Sequence, residues 1–217
     1  MRLNLAILLI GLTLAGCTGS SDQPAPDPEV KDDTALQGDA ALTDEATLHV
    51  YLIRHAEAYS NIRGADMRAA DGDMLTTKGF EQASTLGEFL KDKEIAAVVS
   101  SPANRACQTS ETIAKALGLE DGYAEDEAFF SAQPGDTMAM SGERAGAGID
   151  RLAKEYSGKA VVVVSHSEIC APLLALAAGT PMEQAYQKHK VENGTYSELV
   201  VAGAEWSMLS QNLYPDK

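Results

Sequence analysis

At 217 residues, 45% of them apolar, the chain is long enough for one ordinary domain with something attached. Its formal charge of −15 argues against nucleic acid as a partner, because binding a phosphate backbone needs a basic face. No internal repeat is present, so solenoids and propellers are excluded.

In chain order, residues 1–17, MRLNLAILLIGLTLAGC, carry one basic residue at Arg2, an apolar run from Leu5 to Leu14 and small residues ending in Cys17. The run is shorter than the roughly 20 apolar residues a bilayer-spanning helix needs, so it reads as a secretory signal. LAGC resembles the lipobox of bacterial lipoproteins. That resemblance implies lipidation of Cys17 and a domain anchored on the periplasmic side of the cell envelope. Thr18 in place of Asp implies the outer membrane if the host has one. Residues 18–47 hold eight acids against the single Lys31, three prolines and few large apolar side chains. Such a segment cannot bury enough surface to offset its ordering entropy and is expected to be a disordered tether. It carries −7 of the charge and Arg2 in the leader +1, which leaves −9 on residues 48–217.

From residue 48 onward, apolar runs alternate with helical patterns. This predicts an α/β domain with a mostly parallel central sheet and helices on both faces. LHVYLI (48–53), IAAVVSS (95–101) and AVVVVS (160–165) are apolar on both alternating faces, the mark of central strands covered on each side. In LTTKGFEQASTLGEFLKD, Phe80, Ala83, Leu86 and Leu90 form one helical stripe, with Thr77 as the expected cap. SPANRACQTSETIAKALG predicts a helix capped by Ser101, with Pro102 in its first position and a stop at Gly118. GIDRLAKEYSG places Ile149, Leu152, Ala153 and Tyr156 on one stripe before Gly158. ICAPLLALAAG predicts a short buried helix, with Pro172 tolerated if it falls in the first turn. TYSELVVAGAEWSMLS reads as an edge hairpin about Gly203. Cys107 and Cys170 fall in buried helices, where free core thiols and a disulfide are both open readings.

Each predicted central strand ends in polar residues: Arg54-His55, then Ser100-Ser101 with Arg105 just beyond, then Ser165-His166. Ligands in open α/β sheets bind outside the carboxyl ends of the strands, so these residues are expected to share one cleft. Guanidinium forks match phosphate oxygens bidentately, and helix N-termini offer free N–H groups to an anion. The ligand that suits this set is a phosphate group. A histidine beside two fixed cations is kept neutral and nucleophilic, so His55 can attack phosphorus. A metal is the competing reading, because His55-Ala56-Glu57 and His166-Ser167-Glu168 each put two ligand types on one face of an extended chain. Adjacent arginines repel a divalent cation, and no further His or Cys cluster has ligand spacing, so neither metal nor cofactor is expected. No Gly-x-Ser-x-Gly elbow occurs. His49 and His189 have no such setting and read as bystanders.

RHAEAYSN, LTTKGFEQA, SSPANRACQT, VVVVSHSE and ENGTYSEL resemble, in order, the successive motifs of the histidine phosphatase superfamily, the phosphoglycerate-mutase-like proteins. The resemblance covers residues 48–210. It implies a three-layer sandwich, with His55 as the phosphorylated nucleophile, Arg54, Arg105 and His166 completing the phosphate pocket, and Asn61 touching or orienting the phosphate. Ala56 stands where the family usually has glycine. The family's general acid lies between Arg105 and His166, where YAEDEAFFSAQPGD offers Glu127, then Asp126 and Glu125. The expected activity is hydrolysis of small phosphomonoesters. The alternatives are a mutase-type phosphotransferase and a lipoprotein that binds a phosphorylated ligand without turnover. Export favours hydrolysis, and a core of about 165 residues leaves little room for a capping insertion.

Overall fold

A computed structural model describes residues 47–62 and 71–215. The leader at 1–17 with Cys17, and the tether up to residue 46, lie outside the described residues. The strands are β1 (Leu48–Arg54), β2 (Ile95–Ser100), β3 (Ala124–Glu125), β4 (Ala160–Ser165), β5 (Tyr196–Ala202) and β6 (Glu205–Leu213). The helices are α1 (Thr77–Leu90), α2 (Asn104–Leu117), α3 (Met138–Glu155), α4 (Ser167–Ala177) and α5 (Ala185–Lys188).

Side chains alternate across a strand, and here both sets are apolar. Val50, Leu52, Val161 and Val163 pack under α3 and α4, against Ile149, Leu152, Ile169 and Leu173. Ile53, Val98, Val162 and Val164 pack under α1 and α2, against Leu86, Leu90, Ala106 and Ile113. Each such side chain, fully buried, contributes about 1.5–3 kcal/mol, and together they clamp the sheet between two helical layers. The sheet order is β3-β2-β4-β1-β5-β6. β1, β2, β3 and β4 are mutually parallel, and β5 runs antiparallel to β1. The three strands expected at the centre are adjacent there, and β5–β6 form the expected hairpin with β6 at the edge. The two-residue β3 has no apolar run to announce it.

The helix ends differ from the sequence reading for local reasons. Thr76, not Thr77, caps α1 by accepting from Gly79 N. Phe80 is exposed, and Gly79 takes its place on the buried side because the first turn presses on the loop after β1. A Cβ on Gly79 would lie 2.1 Å from the Glu57 carbonyl oxygen. α2 begins at Asn104 after an N-cap, Ala103, that has no capping side chain; Ser101 and Pro102 stay in the loop. The Ser101 hydroxyl is committed elsewhere, 2.7 Å from His166 Nε2. α3 starts well before the predicted stripe, at Met138. Its first half packs through small residues such as Gly142, Ala145 and Gly146, which carry little hydrophobic periodicity. Pro172 lies inside α4, past its first turn, and faces α3: a Cβ on Gly142 would come within 3.1 Å of its ring. Cys107 and Cys170 are both free and buried.

Candidate active site

Parallel pairing brings the carboxyl ends of β1, β4 and β2 level. Arg54 pairs with Ser165 across the sheet. His55 N donates to Ser165 O at 2.9 Å, and Ser101 N donates to Val164 O at 2.9 Å. The loops leaving these strands therefore meet, and Arg54, His55, Arg105 and His166 gather at one end of the sheet.

The contacts of each ring nitrogen determine the tautomers. His55 Nδ1 is 2.8 Å from the Ala56 carbonyl; a carbonyl only accepts, so Nδ1 carries the hydrogen. Its Nε2 accepts from Arg105 Nε at 3.1 Å, so Nε2 carries no hydrogen and its lone pair is engaged by that guanidinium N–H. His166 Nδ1 is 3.0 Å from Arg105 Nη2. A guanidinium only donates, so the neutral ring carries its hydrogen on Nε2 and donates it to Ser101 Oγ. The two rings, 3% and 1% exposed, sit with centroids 5.2 Å apart. Burial, then the Arg105 and Arg54 cations, push the His55 pKa down to about 3, against the opposing hydrogen bond to Ala56. Burial, then His55 and the Arg105, Arg54 and Arg144 cations, push His166 down to about 2. The sequence points to the arginines alone as the cause, whereas desolvation is the larger one.

Arg54 Nη1 donates to Val191 O at 2.8 Å, and its Nε is buried without a hydrogen-bond partner among the described residues. Arg105 is held on every nitrogen: besides the two histidines, Nη1 pairs with Asp73 and Nη2 donates to Ser131 Oγ at 3.0 Å. Arg144 Nη1 donates to the carbonyls of Glu127, Ala128 and Phe130, which anchors the segment that delivers Ser131. Asn61 is joined to the site indirectly. Its Oδ1 accepts from Ala58 N at 2.9 Å and from Asn193 Nδ2 at 3.1 Å, and the same Asn193 amide donates to His55 O at 2.9 Å. Ala56 is accommodated with Ala58, Leu75 and Ala83 in a small apolar cluster, and its N donates to Thr109 Oγ1.

The three candidate acids lie apart from this network. Glu127 is exposed, and among the described residues its side chain makes no hydrogen bond to the pocket. Asp126 caps Ala128 N and pairs with Arg151. Glu125 faces Cys107. The His-x-Glu triplets do not gather as ligand pairs: Glu57 turns to Lys78 and Thr76, and both nitrogens of each ring are engaged. Sequence reasoning missed Asp73, Ser131 and Asn193. Asn193 lies inside the ENGT motif, while Asp73 and Ser131 carry no local signal. The arrangement gathers two neutral imidazoles and two guanidiniums at one end of the sheet, a set suited to holding a phosphoryl group.

Comparison with known proteins agrees with this chemistry. The model of the histidine phosphatase superfamily (branch 1) matches residues 50–129 and 121–213. The uncharacterized phosphatase PhoE of Bacillus subtilis is 26% identical over 186 residues, covering 76% of this chain and 94% of that protein. A 2,3-bisphosphoglycerate-dependent phosphoglycerate mutase of Thermoplasma acidophilum is 41% identical over 69 residues, 32% of this chain and 34% of the mutase. In three further curated relatives the match likewise spans only about a third of their length, 30%, 34% and 32%. The structure of phosphoserine phosphatase from Entamoeba histolytica, with 3-phosphoglyceric acid, superposes with a TM-score of 0.64 at 19% identity over 76% of this chain and 97% of that one. At that identity the likeness speaks for the fold.

Proposed function

The chain belongs to the histidine phosphatase superfamily, and from that premise we propose that it hydrolyses small phosphomonoesters through a phosphohistidine on His55. The observation that carries this is His55 Nε2, left without a hydrogen by the Nδ1 hydrogen bond to Ala56 and accepting from Arg105 Nε, whose N–H turns to a phosphate oxygen as substrate enters and so frees the lone pair. In the first step Nε2 attacks phosphorus and the ester P–O bond breaks. Arg54, Arg105 and His166 hold the equatorial oxygens, where charge is concentrated in the transition state. The leaving oxygen takes its proton from solvent. In the second step water gives up a proton, replacing the one taken by the leaving oxygen, and attacks phosphorus; the P–N bond breaks, and the electron pair returns to Nε2 as inorganic phosphate leaves.

The N-terminal LAGC supports export and a lipid anchor at Cys17, which would set this chemistry in the cell envelope and favour water as the acceptor. Similarity to a phosphoglycerate mutase supports a second reading, transfer of the phosphoryl group to another hydroxyl. Purified residues 18–217 assayed with p-nitrophenyl phosphate, phosphosugars, nucleotides and phosphopeptides, with and without an alcohol acceptor, decide between them. Release of inorganic phosphate that His55→Ala abolishes is the expected result. Transfer without release favours the mutase, and binding without either reaction defeats both.

A further inference from the structure

Asp73 joins two structures at once. One carboxylate oxygen pairs with Arg105 Nη1, and the other accepts from Asn104 N at 2.9 Å. Asn104 is the first residue of α2, whose N-cap, Ala103, offers no side-chain acceptor. The carboxylate is therefore tied to a helix terminus, a rigid part of the fold, while it grips the guanidinium one residue further on.

The remaining nitrogens of Arg105 face the reaction. Nε meets His55 Nε2 at 3.1 Å, and Nη2 meets His166 Nδ1 at 3.0 Å and Ser131 Oγ at 3.0 Å. Nε and Nη2 share one edge of the planar guanidinium, the edge that can bind two oxygens of a phosphate in parallel. Asp73 holds Nη1, the nitrogen left over. We propose that Asp73 is a positioning residue that fixes the rotation of Arg105, so that the Nε–Nη2 edge faces the phosphate bound over His55. It is not a proton donor, because both oxygens are engaged on the far side of the guanidinium from the two histidines.

This inference rests on the pocket being a phosphate site, and the test separates the two. The detergent-solubilised full chain and its Asp73→Ala and Asp73→Asn variants are titrated with inorganic phosphate by calorimetry, then assayed with p-nitrophenyl phosphate and glycerol 2-phosphate. A misoriented fork weakens phosphate binding and lowers kcat/KM by about 10- to 100-fold, by the same factor for both esters. Asp73→Asn, which keeps an oxygen for Nη1, loses less than Asp73→Ala. A loss confined to glycerol 2-phosphate, the poorer leaving group, would make Asp73 the proton donor and overturn the proposal. So would a lower Tm with unchanged phosphate affinity, the signature of a helix cap alone. If the unmodified chain turns over neither ester, hydrolysis fails as the function while the phosphate titration still decides the role of Asp73. If it binds no phosphate, both fail.

Discussion

Two parts of this molecule bury histidine, and only one of them sets it against a guanidinium. At the corner formed by α5, β6 and the turn after α4, His189 is 6% exposed. Its Nδ1 lies 2.6 Å from Gln211 Oε1 and its Nε2 lies 2.9 Å from Thr180 Oγ1. One nitrogen donates and the other accepts, both partners are neutral, and the side chain acts as a tie between three segments. At the carboxyl ends of β1 and β4, His55 and His166 are as deeply buried, but guanidinium groups stand where His189 has neutral partners. Burial alone produces a structural histidine. Burial beside a cation that can also hold a phosphate suits the nucleophile proposed above.

The largest test of this contrast removes the nucleophile: His55→Ala is expected to lower kcat for p-nitrophenyl phosphate by at least about 10³-fold, with the fold retained by circular dichroism. Arg105→Lys follows. A single ammonium cannot serve His55, His166, Asp73 and Ser131 together, so steady-state assay should show kcat down by about 10²- to 10³-fold.

Third is the pH dependence of stability. The two pocket histidines have folded pKa values of about 3 and about 2 against an ordinary 6.5. The unfolded chain thus binds more protons between these limits. Stability falls as pH drops below about 6.5 and continues to fall toward the folded pKa values, with a slope of about 1.4 kcal/mol per pH unit for each ring. Urea titrations at pH 7.5, 5.5 and 4.5 should show this, and His55→Gln/His166→Gln should flatten it. Gly79→Ala, whose Cβ would lie 2.1 Å from Glu57 O, should lose about 1–3 kcal/mol by chemical denaturation. Smallest is His189→Ala. It strands Thr180 and Gln211 for about 1–3 kcal/mol, lowers Tm, and leaves kcat unchanged; a fall in kcat would break the distinction between the two regions.

Much of the scaffold is legible in the order of residues. The three valine- and isoleucine-rich runs form the adjacent central strands because only burial on both faces tolerates such runs. Arg54, His55, Arg105 and His166 group together because polar residues at the ends of parallel strands converge by topology. Helix beginnings are less legible. Ser101 has the composition of a cap, yet its hydroxyl serves His166, a partner 65 residues away. Phe80 fits a helical stripe, yet the close contact of Gly79 with Glu57 leaves Phe80 exposed in the first turn, while Ala83, Leu86 and Leu90 are buried as the stripe predicts.

The sequence by itself determined the α/β class, the strand runs, and the two histidines and two arginines that meet at the strand ends, because periodicity and strand ends are local properties of the chain. Only the tertiary structure decided which nitrogen of each ring holds a proton, that Asp73 and Ser131 hold Arg105, and that Asn193 links His55 to Asn61. Apart from the contact of His55 Nδ1 with the adjacent Ala56 carbonyl, those arrangements depend on hydrogen bonds spanning 26 to 138 residues of sequence, and no local pattern of residues encodes which distant donor will reach which acceptor.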